Sequence, residues 1–283
     1  MTNRTPTVAD EIARYIETGD TDPYHEAWTG RSFLERACRA HDDLRAGLVA
    51  EVKRRAAGRT HVAIPHPDSV ALTRAKVEPM VRGLFPRSEQ ESVLATLERS
   101  VIFVTTDNIE QLLTETSFDH SAWMLANLYL ASVGAEPFSD DGVHIVGMSE
   151  GTTCYVSPAY FEEDDPFADF VVHEAAHIFH NCKRETIGLP STRTREWLLT
   201  IDYRERETFA YACEAYARIL ERAKNPAERR TLAELYRQTV RLADDRADGA
   251  QVAAIVAEAA AARKGWKVIL SRCAPPPARR LSA

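Results

Sequence analysis

The stretch from Phe167 to Cys182 is apolar on nearly every side of a helical wheel, through Phe167, Phe170, Val171, Val172, Ala175, Ala176, Ile178 and Phe179. Yet it carries His173, Glu174 and His177. A helix apolar all round is a buried helix. Burying two imidazoles and a carboxylate together is costly unless something compensates, and a metal ion does so. The order His173-Glu174-Ala175-Ala176-His177 is an H-E-x-x-H motif. Histidines four apart lie one turn from each other on one helix face, so both rings can reach one ion. Glu174 lies at the edge of that face, placed to take a proton from water rather than to bind the ion. Asp164 or Asp165 followed by Pro166 predicts the start of this helix, with proline at the first helical position. His180 shares the stripe but stands two turns from His173, which suits a supporting or cleft-wall residue better than a ligand.

A hydrolytic zinc site takes three protein ligands and leaves one position open. Downstream, Phe209, Ala212, Cys213, Tyr216 and Ile219 or Leu220 predict one apolar helix face. Glu207, Tyr211, Glu214 and Arg218 recur at i, i+4, i+7 and i+11 on another. A polar stripe on a helix with a strong core face suits the second wall of a site.

At these residues the chain resembles the gluzincins, the zinc peptidases of thermolysin-like and aminopeptidase N-like type. In the aminopeptidases the H-E-x-x-H helix is followed by a helix of pattern N-E-G-F-A-x-x-x-E. Glu207-Thr208-Phe209-Ala210 and Glu214 match its E-x-F-A-x-x-x-E part. The resemblance implies one Zn2+ per chain held by His173, His177 and Glu207, with Glu174 as general base in peptide hydrolysis. It also implies an upstream edge strand that pairs with an extended peptide, for which Thr153 to Val156 is the candidate.

The resemblance covers roughly residues 143–222 and departs from the pattern in several places. The gap between His177 and Glu207 is 29 residues, longer than is typical of those families, and Lys183 to Tyr203 is expected to form a loop over or beside the cleft. Tyr211 stands where the thermolysin-like enzymes have an aspartate, so the partner of a zinc histidine must come from elsewhere, with Glu214 and Asp169 as candidates. Glu205 and Glu214 are the alternatives to Glu207 as third ligand. Tyr211, Tyr155 and His180 are candidate oxyanion donors. Gly147-Met148-Ser149-Glu150 faintly echoes the aminopeptidase G-A-M-E-N motif and is read as a hairpin turn. The metzincin pattern is excluded, because His180 and Lys183 stand where its glycine and third histidine belong.

The rest of the chain supplies the setting. Thr7 with Asp10 predicts a capped helix whose Val8, Ile12 and Ile16 share a face and which Gly19 ends. Ser32 to Ala57 predicts a longer amphipathic helix, and His61 to Asp68 a loop in which His61 and His66 are solvated. Val101 to Val104 predicts a strand, Asp119 to Ser132 a helix, and Val143 to Val146 with Thr153 to Val156 a hairpin turning around Ser149 to Gly151. From Arg204 to about Lys264 two or three further helices are expected. The fold expected is α+β, predominantly helical, a zincin-like catalytic core with a small β-sheet and an N-terminal helical region. Its segments are 1–100 (N-terminal helices), 101–223 (core), 224–273 (C-terminal helices packing on the core) and 274–283 (a disordered tail).

Charge and cysteine content narrow the partners. Against 35 basic residues stand 42 acidic ones, a net charge of −7, which disfavours a nucleic-acid binder. Lys53-Arg54-Arg55 and Arg229-Arg230 read as solvated helix faces. No apolar run is long enough to span a membrane, and the N-terminus lacks the apolar stretch of a secretory signal. The five cysteines are odd in number and scattered, against a disulfide framework. The expectation is a cytoplasmic zinc peptidase acting on a peptide or protein substrate, without nucleic-acid or membrane partners. The alternative is a non-catalytic zinc-binding regulatory or scaffold protein.

Overall fold

The computed structural model describes residues 6–65, 68–139, 147–242 and 244–276. Among these the chain is predominantly helical with one small sheet. In order run α1 (Val8–Thr18), α2 (Phe33–Arg55), α3 (Ser69–Leu84), α4 (Arg87–Leu97), β1 (Val101–Phe103), α5 (Ile109–Glu115) and α6 (Asp119–Ser132). Then come β2 (Gly147–Glu150), β3 (Thr153–Val156), α7 (Phe170–Asn181), α8 (Arg206–Arg222), α9 (Pro226–Thr239), α10 (Gly249–Ala261) and α11 (Gly265–Cys273). Two compact units result, each made of separate stretches of chain. The first takes Met1–Ile64, Phe103–Met148 and Ser157–Glu162, the second Pro65–Ile102, Ser149–Val156 and Glu163–Ala283. The units therefore do not follow the successive segments 1–100, 101–223 and 224–273. The reason is packing that periodicity does not report: α3 lies against α7, α8 and α11.

In the first unit, local signals become local structure. The Thr7 side chain accepts from the Asp10 N–H at 3.2 Å, and the Thr7 N–H donates to the Asp10 carboxylate at 2.8 Å. Such a reciprocal cap stabilises a helix by about 1 kcal/mol. Gly19 closes α1 at φ 73°, a left-handed conformation that glycine adopts without strain. Arg45 of α2 is 4% exposed. Its guanidinium donates to the Leu113 carbonyl, to the Thr116 carbonyl at 2.9 Å and to Asp119 Oδ1 at 2.8 Å, tying α2 to α5 and α6. His61 stands in a loop, partly exposed, with its Nδ1 2.8 Å from Thr106 Oγ1. His66, Val143 to Val146 and residues 277–283 lie outside the described residues.

In the second unit, α7 packs on α8 and on β3, and α8 packs in turn on α9, α10 and α11. The predicted core face of α8 is buried at Phe209, Ala212, Cys213, Tyr216 and Ile219. The sheet order is β1-β3-β2. Two expectations are corrected here. Thr153–Val156 is the central strand, flanked on both sides, so it is not an edge open to a peptide. Gly147–Glu150 is a strand, and the turn falls on Gly151 at φ 60°.

The segment Lys183 to Tyr203 folds back on the end of α7. The Leu199 N–H donates to the Phe179 carbonyl at 2.8 Å and the Leu198 N–H to the Cys182 carbonyl at 3.1 Å. Arg184, 1% exposed, anchors it to Glu89 of α4 at 2.7 Å. No helix among the described residues is long and apolar enough to cross a membrane.

Candidate metal centre

Helix α7 begins three residues later than the expected Phe167. Asp165 instead forms a turn, its Oδ1 accepting the Phe167 N–H at 2.8 Å and its carbonyl the Ala168 N–H at 3.2 Å. The cap is Asp169, 1% exposed, whose Oδ1 accepts the Val172 N–H at 3.3 Å while Oδ2 pairs with Lys76 of α3 at 3.0 Å. Asp169 prevails because it is the carboxylate that the interior already neutralises.

One turn into α7, His173 and His177 bring their rings to 5.1 Å between centroids. Glu207, in the first turn of α8, places Oε2 3.4 Å from His177 Nε2 and 3.7 Å from His173 Nε2. One ligand atom from each residue lies within 4.8 Å of the others. Zinc bonds to nitrogen and oxygen of about 2.0–2.2 Å set tetrahedral ligand atoms roughly 3.3–3.6 Å apart; the His177–Glu207 separation of 3.4 Å falls in that range and the His173–Glu207 separation of 3.7 Å lies just beyond it. The three side chains are 11–16% exposed, leaving the site reachable.

Each of the three has its other polar atom engaged. His173 Nδ1 is 3.0 Å from Glu214 Oε2, whose Oε1 accepts the Asp169 N–H at 2.7 Å. His177 Nδ1 is 3.1 Å from His180 Nε2, and His180 Nδ1 is 3.0 Å from Asn181 Oδ1. Glu207 Oε1 is 3.2 Å from the Arg246 guanidinium, which Asp244 holds from below at 2.8 and 2.9 Å. Proton positions follow from these partners. Asn181 Oδ1 only accepts, so His180 donates from Nδ1 and accepts at Nε2 from the His177 Nδ1–H. Glu214 likewise takes the His173 Nδ1–H. Nε2 of both rings is thereby turned toward the Glu207 carboxylate, and once the Nε2 protons are lost the three residues present an electron-pair donor set of the kind that can hold a cation.

In the metal-free chain a proton occupies part of this set. Burial, the neighbouring His177 and Arg206 push the His180 imidazole down to about 3, keeping it neutral. Burial disfavours the His173 cation, yet Glu207 and Glu214 outweigh it and raise the ring to about 10 in the metal-free chain. For Glu207, burial is outweighed by hydrogen bonds from His173 and His177, and its carboxyl is held well below the usual range.

Glu174 differs from the other carboxylates. It is 6% exposed, and among the described residues its carboxyl takes no hydrogen bond or ion pair. Burial pushes its pKa up, opposed by His177 and His173. A buried carboxylate left without a partner beside two histidines is poised to exchange a proton.

The remaining candidates sort by contact. Tyr211 sets its ring edge-on to His173 at 4.5 Å between centroids, and burial raises its hydroxyl so that it stays protonated. Tyr155 is buried on β3. Glu205 accepts from Gln251 at 2.8 Å, and Glu214 serves His173 Nδ1, so neither belongs to the converging set. Arg218 donates to the Pro166 carbonyl at 3.4 Å. Sequence reasoning missed Lys76, Asp244 and Arg246, which reach the site from other elements and share no periodicity with the motif.

No protein-family model, no curated protein and no solved structure matches the chain.

Proposed function

We propose that this chain is a zinc-dependent peptidase of gluzincin type, with one Zn2+ held by His173, His177 and Glu207. The observation that carries the reading is the partnering of Nδ1 of both histidines and the second oxygen of Glu207, while Glu174 is left bare. A zinc ion there supplies Lewis-acid activation of water near neutral pH. Glu174 takes the proton as water adds to the peptide carbonyl carbon, then delivers it to the leaving nitrogen as the C–N bond breaks. Its raised pKa suits both halves of that transfer. Tyr211, protonated beside His173, is the best-placed donor to the oxygen that gains charge. A zincin-like core fits the helix pair α7–α8 with β3 packed on α7. Five free cysteines, four of them buried, fit a reducing, cytoplasmic setting.

The test is chelator-sensitive hydrolysis of a mixed peptide library by wild type and Glu174→Gln. The variant keeps its zinc and loses roughly 10²–10⁴-fold in rate. A zinc-loaded wild type that cleaves nothing would favour the non-catalytic regulatory or scaffold reading.

A further inference from the structure

Lys76 lies on α3, a helix that carries none of the candidate ligands, and its ammonium stands 3.0 Å from Asp169 Oδ2. The Asp169 N–H donates to Glu214 Oε1 at 2.7 Å, and Glu214 Oε2 meets His173 Nδ1 at 3.0 Å. Three helices thus contribute to one buried line of charge that ends on a ligand. Each link has a fixed direction. Glu214 cannot turn, because its two oxygens answer to different partners. The Asp169 N–H aims at Glu214 only while Asp169 caps α7, and both of its oxygens are engaged in holding it there. Asp169 and Glu214 are two carboxylates sharing one buried region, and removing the cation from such a group leaves uncompensated charge. Glu221 holds the ammonium from another side at 3.3 Å, so Lys76 is itself fixed.

We propose that Lys76 is a positioning residue for the metal centre: through Asp169 and Glu214 it fixes the ring and the Nδ1 proton of His173, so that Nε2 is presented to the ion. The proposal rests on the zinc reading above. Partners one step removed from a ligand typically change metal affinity 10- to 100-fold when lost.

The experiment measures the zinc dissociation constant by competition with a chromophoric chelator, for wild type, K76R, K76M, D169N and the double variant K76M/D169N. Imidazole 1H–15N spectra of the metal-free proteins are recorded alongside. K76M and D169N are expected to bind zinc about tenfold more weakly, with K76R near wild type and the double variant no worse than either single. The His173 Nδ1 resonance shifts in K76M and returns in K76R. If K76M does not fold, D169N, which keeps the capping oxygen and the N–H, carries the same comparison. A folded variant with lower thermal stability but unchanged zinc affinity and unchanged His173 signals would reduce the pair to a structural one and overturn the proposal. If wild type takes up no zinc, the zinc reading fails by itself. The His173 signals then still decide: a shift in K76M supports positioning, and none overturns it.

Discussion

Arg246 and Glu207 form an ion pair at 3.2 Å that occupies the glutamate oxygen turned away from the two histidines. The opposite oxygen lies 3.4 Å from His177 Nε2 and 3.7 Å from His173 Nε2. The segment between α9 and α10 therefore orients a side chain of α8, and Asp244 fixes the guanidinium that does so.

Arg246→Ala releases Glu207 to rotate. It is expected to weaken zinc binding about tenfold, with Arg246→Lys intermediate, because lysine keeps the charge and loses the fork. Chelator competition measures this, and an affinity equal to wild type would mean that Glu207 is held by other contacts.

Zinc uptake should depend on pH through His173. In the metal-free chain Glu207 and Glu214 outweigh burial and hold this ring protonated up to about 10. Its Nε2 must lose its proton to bind an ion. Below that pH the proton competes, so His173 makes affinity rise with pH, about tenfold per unit, and level off near pH 10. Calorimetry at pH 8 in buffers of different ionisation enthalpy should find about one proton released by His173 for each zinc bound. Affinity flat from pH 7 to 9 would contradict this assignment.

The first unit offers a separate check on packing. Arg45→Met leaves the Leu113 and Thr116 carbonyls and the Asp119 carboxylate without their buried donor. Removing one partner of a buried charged group costs about 3–5 kcal/mol in all, and the variant should lose about that much in urea denaturation. A loss under about 0.5 kcal/mol would mean that water replaces the guanidinium.

What the sequence reveals of this molecule is what lies within one helix or one turn. The Thr7–Asp10 cap, the span Asp119–Ser132, the His173–His177 pair and the Glu207–Tyr211–Glu214 stripe all follow from spacing. His180 and Glu214 were within reach as partners of the histidines because they share those helices. The start of α7 was not, since Asp165-Pro166 is locally the better cap, whereas the partners of Asp169, Lys76 and Glu214, come from helices far away in the sequence. The central place of β3 depends on β1 pairing across some fifty residues, which no alternation within either strand reports. Arg246 likewise stands in a loop with no pattern of its own.

The central claim is that His173, His177 and Glu207 hold one zinc ion, and metal content by mass spectrometry tests it most directly. Wild type and Glu207→Ala would be purified side by side after loading with zinc and removal of the excess. The account predicts about one zinc per chain in wild type and little or none in the variant. Zinc absent from wild type, or fully kept by Glu207→Ala, would contradict it.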